Sequence, residues 1–378
     1  MPDGDAPRLP FFSLSRFVHR EIIVLLILCA AALAGFLVTK ASAAAAHQLR
    51  VSDASIWHAR GRAHLEAGRI DEALDALGRA RALDREQEAY HLSFGAALSR
   101  AGQHAAARQV LLALREAHPE NPDVNLGLAE MEAARGARED AIRFYERALY
   151  GDWSPDRLGE RERVRVGMIE YLLVEGQRRR ASAQLMVLAA DLPEEAPRLM
   201  EAARLFLAAG EPERALGLYS RVLEMDPAHG AALGGAGDAA FALGDYATAL
   251  GYFARAPGGT AGRRAIAERV VASDPLSTAL DAGERRRRLA AGHALAARLI
   301  GGCAAHTDGG ESEQLSALAD ETGALGVRVR GPLADGAVAD GVALVAAVVT
   351  FASDHCGPLD AESRAWLLIA RRHHEAAR

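Results

Sequence analysis

Six glycines mark a period in this chain: Gly68, Gly102, Gly136, Gly176, Gly210 and Gly244, spaced 34, 34, 40, 34 and 34 residues apart. Five residues after each comes an alanine, at Ala73, Ala107, Ala141, Ala181, Ala215 and Ala249. Four further on stands a large apolar residue: Leu77, Leu111, Tyr145, Leu185, Tyr219, Phe253. Pro119, Pro193 and Pro227 end three of the units. A period of this length means a stack of supersecondary units, each covering its apolar face with a neighbour. The composition agrees. Only 5% of the residues are aromatic and alanine is abundant, which favours packed helices over sheets.

The pattern resembles the tetratricopeptide repeat family, over about residues 54 to 257. Trp57 fits the family's aromatic position, and Gly61, Gly95, Ala129, Ala203 and Gly237 fit its small position. The resemblance implies six helix–turn–helix units (54–87, 88–121, 122–155, 162–195, 196–229 and 230–257) stacked into a right-handed superhelix with a concave surface. Each glycine is expected to end helix A in a left-handed conformation, and each helix-B alanine to sit where the two helices cross. Arg85 and Trp153 stand where proline is common, and Ile169 takes the small position of the fourth unit. The six extra residues before that unit predict a longer loop around Gly151–Pro155.

In this family the concave surface is lined by helix A. Its unit position 5 reads His58, Leu92, Leu126, Val166, Met200 and Gly234 here; position 9 reads Arg62, Ala96, Glu130, Glu170, Arg204 and Asp238. The first stripe is mostly apolar and the second alternates in charge. The family's lysine–asparagine carboxylate clamp is absent. The expected ligand is an extended or helical segment of another protein, held by apolar contacts and ion pairs at these residues.

Residues 22–39 form an uncharged apolar run of 18 residues, IIVLLILCAAALAGFLVT. As a helix it spans roughly 27 Å, close to a bilayer core. Two readings stay open. Its length favours a single membrane anchor, between a short tail (1–21) and a tether (40–53). Ala41-Ser42-Ala43 would also suit a cleaved signal peptide. Either way the body is exported. The expected topology places the N-terminus in the cytoplasm and residues 54–378 outside the inner membrane, with membrane-associated protein partners.

Beyond Pro257 the phase is lost, and residues 258–378 match no family. Helices are expected over 263–272, from the capping box Asp281/Glu284 through Leu299, over 311–325, over 337–354 and from Asp360 onward. The valines of 345–351 admit a strand as the alternative. Cys303 and Cys356 fall at helix ends. In an exported domain they form the natural disulfide pair, worth about 2–4 kcal/mol. Two buried thiols, or a metal site adding His306 and His355, are the competing readings. The run Arg285–Arg288 reads as a solvated face, and His373-His374 as an exposed tail.

The expected fold is therefore all-α: an N-terminal transmembrane helix, a repeat superhelix and a C-terminal helical domain. There is no Gly-x-Ser-x-Gly elbow, His-Glu-x-x-His or P-loop, and Gly235-Ala236-Gly237 belongs to the repeat pattern. The formal net charge of -6 argues against nucleic acid as a partner. The chain reads as a membrane-anchored scaffold rather than an enzyme, with no cofactor, metal or small-molecule substrate, in envelope assembly, secretion or protein maturation. The alternative is a C-terminal ligand- or metal-binding module mounted on the repeats.

Overall fold

A computed structural model describes residues 11–190, 192–258, 260–304, 306–307, 309–331 and 336–376, without the side chains of 11–20 and 374–376. The first ten residues of the 1–21 tail and the side chain of His374 lie outside the described residues. Within them, every regular element is a helix. The chain divides into two compact units, Met1–Arg165 and Val166–Arg378.

The first unit begins with α1 (Phe11–Glu66), a 56-residue helix. It carries the apolar run, continues through the 40–53 segment without a break, and ends as helix A of the first repeat. The segment expected as a tether is thus itself helical. Ala-rich composition and the absence of Pro or internal turn signals explain its continuity. Then follow α2 (Ile70–Leu83), α3 (Glu88–Arg100), α4 (His104–Ala117), α5 (Pro122–Ala134) and α6 (Arg138–Leu149), the remaining helices of repeats one to three. The longer loop expected before repeat four is present: eight residues separate α6 from α7 (Leu158–Val174), against four between α4 and α5, and three of the eight, Pro155–Arg157, form a 3-10 turn leading into α7. Ser154 and Pro155 supply an extended residue and a proline at the first position, which starts a helix well. The unit boundary falls within α7.

The second unit continues with α8 (Arg178–Ala190), α9 (Ala196–Ala209), α10 (Pro212–Met225), α11 (Gly230–Ala242) and α12 (Tyr246–Arg255). The six turn glycines all have φ between 70° and 85°. That left-handed conformation is strained for other residues, which accounts for the strict recurrence.

Inside each hairpin the small residues meet large ones. The six helix-B alanines are fully buried. A Cβ added at Gly61 would lie 2.5 Å from Leu77 Cγ, one at Gly95 2.8 Å from Leu111 Cδ2, and one at Gly237 2.4 Å from Phe253 Cε1. Ala129 and Ala203 occupy the same place, fully buried, in repeats three and five. Ile169, the exception, is also fully buried.

The C-terminal residues form α13 (Ala261–Ser273), α14 (Ala282–Cys303), α15 (Gly310–Arg328), α16 (Ala337–His355) and α17 (Ala361–Ala376). Asp281 caps α14 by accepting from the Glu284 amide at 2.8 Å, and Asp360 caps α17 through Ser363 at 2.8 Å. The valine-rich 345–351 stretch is helix. Val342, Val345, Val348 and Val349 of α16 are buried against Leu289, Leu325 and Trp366. The same core includes Tyr246, with Phe241 and Leu250 packed on it, so the bundle covers the open face of repeat six. His373 is not in an exposed tail. Its Nε2 lies 3.0 Å from Oδ2 of the buried Asp274, which also faces Arg372 at 3.6 Å.

The small-on-large contact is testable. Gly237→Ala should lower stability by about 1–3 kcal/mol through overpacking against Phe253. Adding Phe253→Leu should recover part of that loss, a coupling that a double-mutant cycle of thermal unfolding would measure.

Candidate functional site: the helix-A faces of the repeats

In the first unit, His58, Leu92 and Leu126 are half-buried along successive A helices. His58 is tied into the junction of repeats one and two. Its Nε2 is hydrogen-bonded to Ser93 Oγ at 2.8 Å, and its ring lies 4.8 Å from that of Tyr90. Burial, together with the neighbouring Arg62, holds its pKa below the ordinary histidine value. Leu92 reaches toward repeat three, where a Cβ on Gly127 would stand 3.4 Å from its Cδ2. Leu126 and Glu130 are one helical turn apart on α5 and share a face.

The charges of position 9 behave differently in the two units. In the second, Arg204 Nη2 contacts Glu170 Oε1 at 2.7 Å across 34 residues, linking repeats four and five. Asp238 is paired with Arg263 of α13. Tyr219 lies beneath, its hydroxyl pKa raised by burial and by nearby Asp238. The alternating charges expected to meet a partner here meet one another. In the first unit Arg62 faces Glu66 on its own helix at 3.6 Å, with both side chains largely exposed. Glu130 has no cation within ion-pair distance among the described residues. It is solvent-exposed, yet the surrounding protein raises its carboxyl pKa, with Arg100 acting in the opposite sense. Arg100 itself donates from Nη1 to the Leu65 carbonyl at 3.0 Å.

Of the remaining stripe residues, Val166 is 8% exposed and offers little contact surface, while Met200 is half-buried. Sequence reasoning did not find Glu132, fully buried and held by Arg108 Nε and Arg135 Nε, both at 2.8 Å. Nor did it find Arg157, which joins Asp123 at 2.7 Å and lies over the Trp153 ring. Arg157 and Asp123 are 34 residues apart, the repeat length, and that spacing was the available signal.

The sulfurs of Cys303, at the end of α14, and Cys356, capping α16, are joined, with the Cα atoms 5.4 Å apart. Leu315, Phe351 and Ala352 pack around the bridge. The two histidines weighed as metal ligands have other partners: His306 Nδ1 lies 3.2 Å from the Gly302 carbonyl, and His355 Nδ1 3.2 Å from Glu311 Oε1. Among the described residues no group of three or more His, Cys, Asp or Glu side chains is arranged to hold a metal.

Stacked helical hairpins with fully buried crossing alanines define the class: an α-solenoid built on a 34-residue unit. Residues 92–156 and 200–265 match the tetratricopeptide repeat family model, and the hairpins they cover are tetratricopeptide repeats. Repeats of this kind support a protein-interaction scaffold. A search of curated proteins finds no match. Among solved structures, the C-terminal part of a TPR repeat-containing protein from Cytophaga hutchinsonii is 14% identical, covering 61% of this chain and 91% of its own, with a TM-score of 0.43. The type IV pilus biogenesis factor PilW is 17% identical, over 53% of this chain and 91% of its own, with a TM-score of 0.40. A thermophilic TPR protein from Thermus thermophilus is 22% identical, over 52% of this chain and 98% of its own, with a TM-score of 0.32.

The depressed pKa of His58 has a pH consequence. The unfolded chain takes up this proton near the ordinary value of 6.5, whereas the folded chain does so only at lower pH. Its contribution is therefore fully present above about pH 6.5 and is lost as pH falls through the folded pKa. Thermal denaturation of His58→Gln should show a shallower loss of stability on the acid side than the parent.

Proposed function

We propose that this protein is a membrane-anchored scaffold whose repeats one to three hold a segment of a partner protein carrying a basic side chain flanked by apolar ones. The observation that carries this reading is Glu130. Among the position-9 acids, Glu170 and Asp238 are paired within the protein, and Glu130 is not. It stands beside Leu126 without an internal cation among the described residues, so a lysine or arginine from a partner would supply the missing opposite charge.

The anchor is the first part of α1. Large side chains from Ile22 to Val38 are about half to two-thirds exposed and lie unpacked along the helix. A run of that hydropathy exposed to water is costly, and a bilayer removes the cost. The helix Ala337–His355 has comparable length and a lower hydropathy, but it is half buried in the C-terminal bundle and belongs to that core. The working arrangement is a single-pass protein of the inner membrane with an extracytoplasmic body, serving envelope assembly, secretion or protein maturation. The Cys303–Cys356 bridge is consistent with export.

Three measurements test this. A photo-crosslinker at Leu126 in native membranes should capture a discrete partner, and Glu130→Lys should abolish the capture while leaving the melting temperature unchanged. A reporter active only outside the cytoplasm should be active when fused after residue 378 and inactive before residue 1; the reverse pattern would place the repeats in the cytoplasm. Thiol titration of the full chain, denatured without reductant, should find Cys29 alone reactive, and three reactive thiols would remove the disulfide.

A further inference from the structure

A second recessed surface lies on the other side of repeats one and two. On α3, His91, Phe94 and Leu98 follow an i, i+3, i+7 spacing. At 100° per residue this places them more than a quarter-turn from Leu92 and Ala96, so they face away from the helix-A stripe. There they floor a trough between α2 and α4, of about 830 Å³ and open to solvent. That volume lies in the range of ordinary ligand sites.

Two of the lining residues depart from the repeat pattern. His91 stands 34 residues after Trp57, so a smaller ring occupies the aromatic position in repeat two. Arg85 stands where the unit commonly ends in proline, and the His91 Nε2 is hydrogen-bonded to its carbonyl at 3.0 Å. The apolar floor is Phe94, Leu98, Val110 and Leu114. The rim carries Arg81, whose guanidinium lies 4.3 Å over the Phe94 ring, and Arg85. Neither arginine has a carboxylate within ion-pair distance among the described residues. His118 at one end is paired with Glu88 at 3.1 Å, and Glu86 is the only acid among the lining residues.

We infer that this trough is a second protein-docking site, taking an acidic partner segment that inserts an aromatic or branched apolar side chain beside Phe94, Val110 and Leu114. The two arginines supply the charge complement. Arg81 is already positioned by its stacking on Phe94, so it can meet a carboxylate bidentately at little entropic cost. The open form suits a chain segment, which needs no closing lid. The segment differs in sign from the one proposed for the Glu130 face, so the two sites would select different partners or different parts of one partner.

The test uses the full chain in detergent and a labelled pentapeptide, Asp-Glu-Phe-Glu-Asp with blocked ends, against its Lys-Arg-Phe-Arg-Lys counterpart. The acidic peptide should bind, with binding reduced about tenfold or more by Arg81→Glu/Arg85→Glu. Ala113→Trp should do the same by filling the trough, since Ala113 is an exposed α4 residue at its edge and tolerates a larger side chain without entering the core. Glu130→Lys should leave acidic-peptide binding unchanged. The inference is overturned if the acidic peptide fails to bind at millimolar concentration, if the basic peptide binds equally well, or if Ala113→Trp has no effect. Acidic-peptide binding that responds to Glu130→Lys instead would place it on the helix-A face and equally overturn it. Displacement of the peptide by dodecanoate with equal or higher affinity would replace a protein segment with a lipid anion as the occupant.

Discussion

In repeats one, two and six the hairpin is held by a large helix-B side chain seated on a glycine of helix A. Leu77 on Gly61, Leu111 on Gly95 and Phe253 on Gly237 are three instances of one contact. Close approach there lets the crossing alanines be fully buried. Helix crossing, burial of the outer stripes and the position of the next unit all follow from it. The same device recurs outside the repeats, where a Cβ on Gly292 would lie 2.4 Å from the Trp366 ring and one on Gly341 2.8 Å from Leu289. The C-terminal bundle thus uses the same packing rule without the period.

That bundle does more than follow the repeats. It shares its core with Phe241, Tyr246 and Leu250, which belong to the last hairpin. A solenoid ends in an uncovered apolar face, and here five helices supply the cover. Asp274, just after α13, pins the arrangement. It is 2% exposed, it meets His373 and Arg372 of α17, and its carbonyl accepts from Arg288 of α14 at 3.1 Å. A buried carboxylate held this way contributes to a unique packing only while its partners are in place.

Features encoded locally were legible in the sequence. The turn glycines, the Asp281 capping box and the helix-ending prolines act within a few residues of themselves, and so did the spacing that revealed the repeat. Pairings between neighbouring units left only the 34-residue spacing as a trace, which marks equivalent positions without saying that their side chains meet. The Glu170–Arg204 pair could be drawn only once adjacent A helices were in register, and it changed two expected partner contacts into internal ones. His373 was misread as a tail residue because its partner lies 99 residues earlier in the chain. The trough between α2 and α4 escaped notice for a different reason. Its lining comes from three helices and the turn between two of them, and only their assembly brings those residues around one recess.

The unbroken course of α1 has a geometric consequence. A flexible connection would let the first hairpin face any direction relative to the apolar segment. A continuous helix makes that direction a matter of residue count. Each residue between Thr39 and Ala54 advances the hairpin by about 1.5 Å and turns it by about 100°. Inserting or removing one residue there would leave every contact of the repeat intact, and would aim its helix-A face at a different quarter of its surroundings.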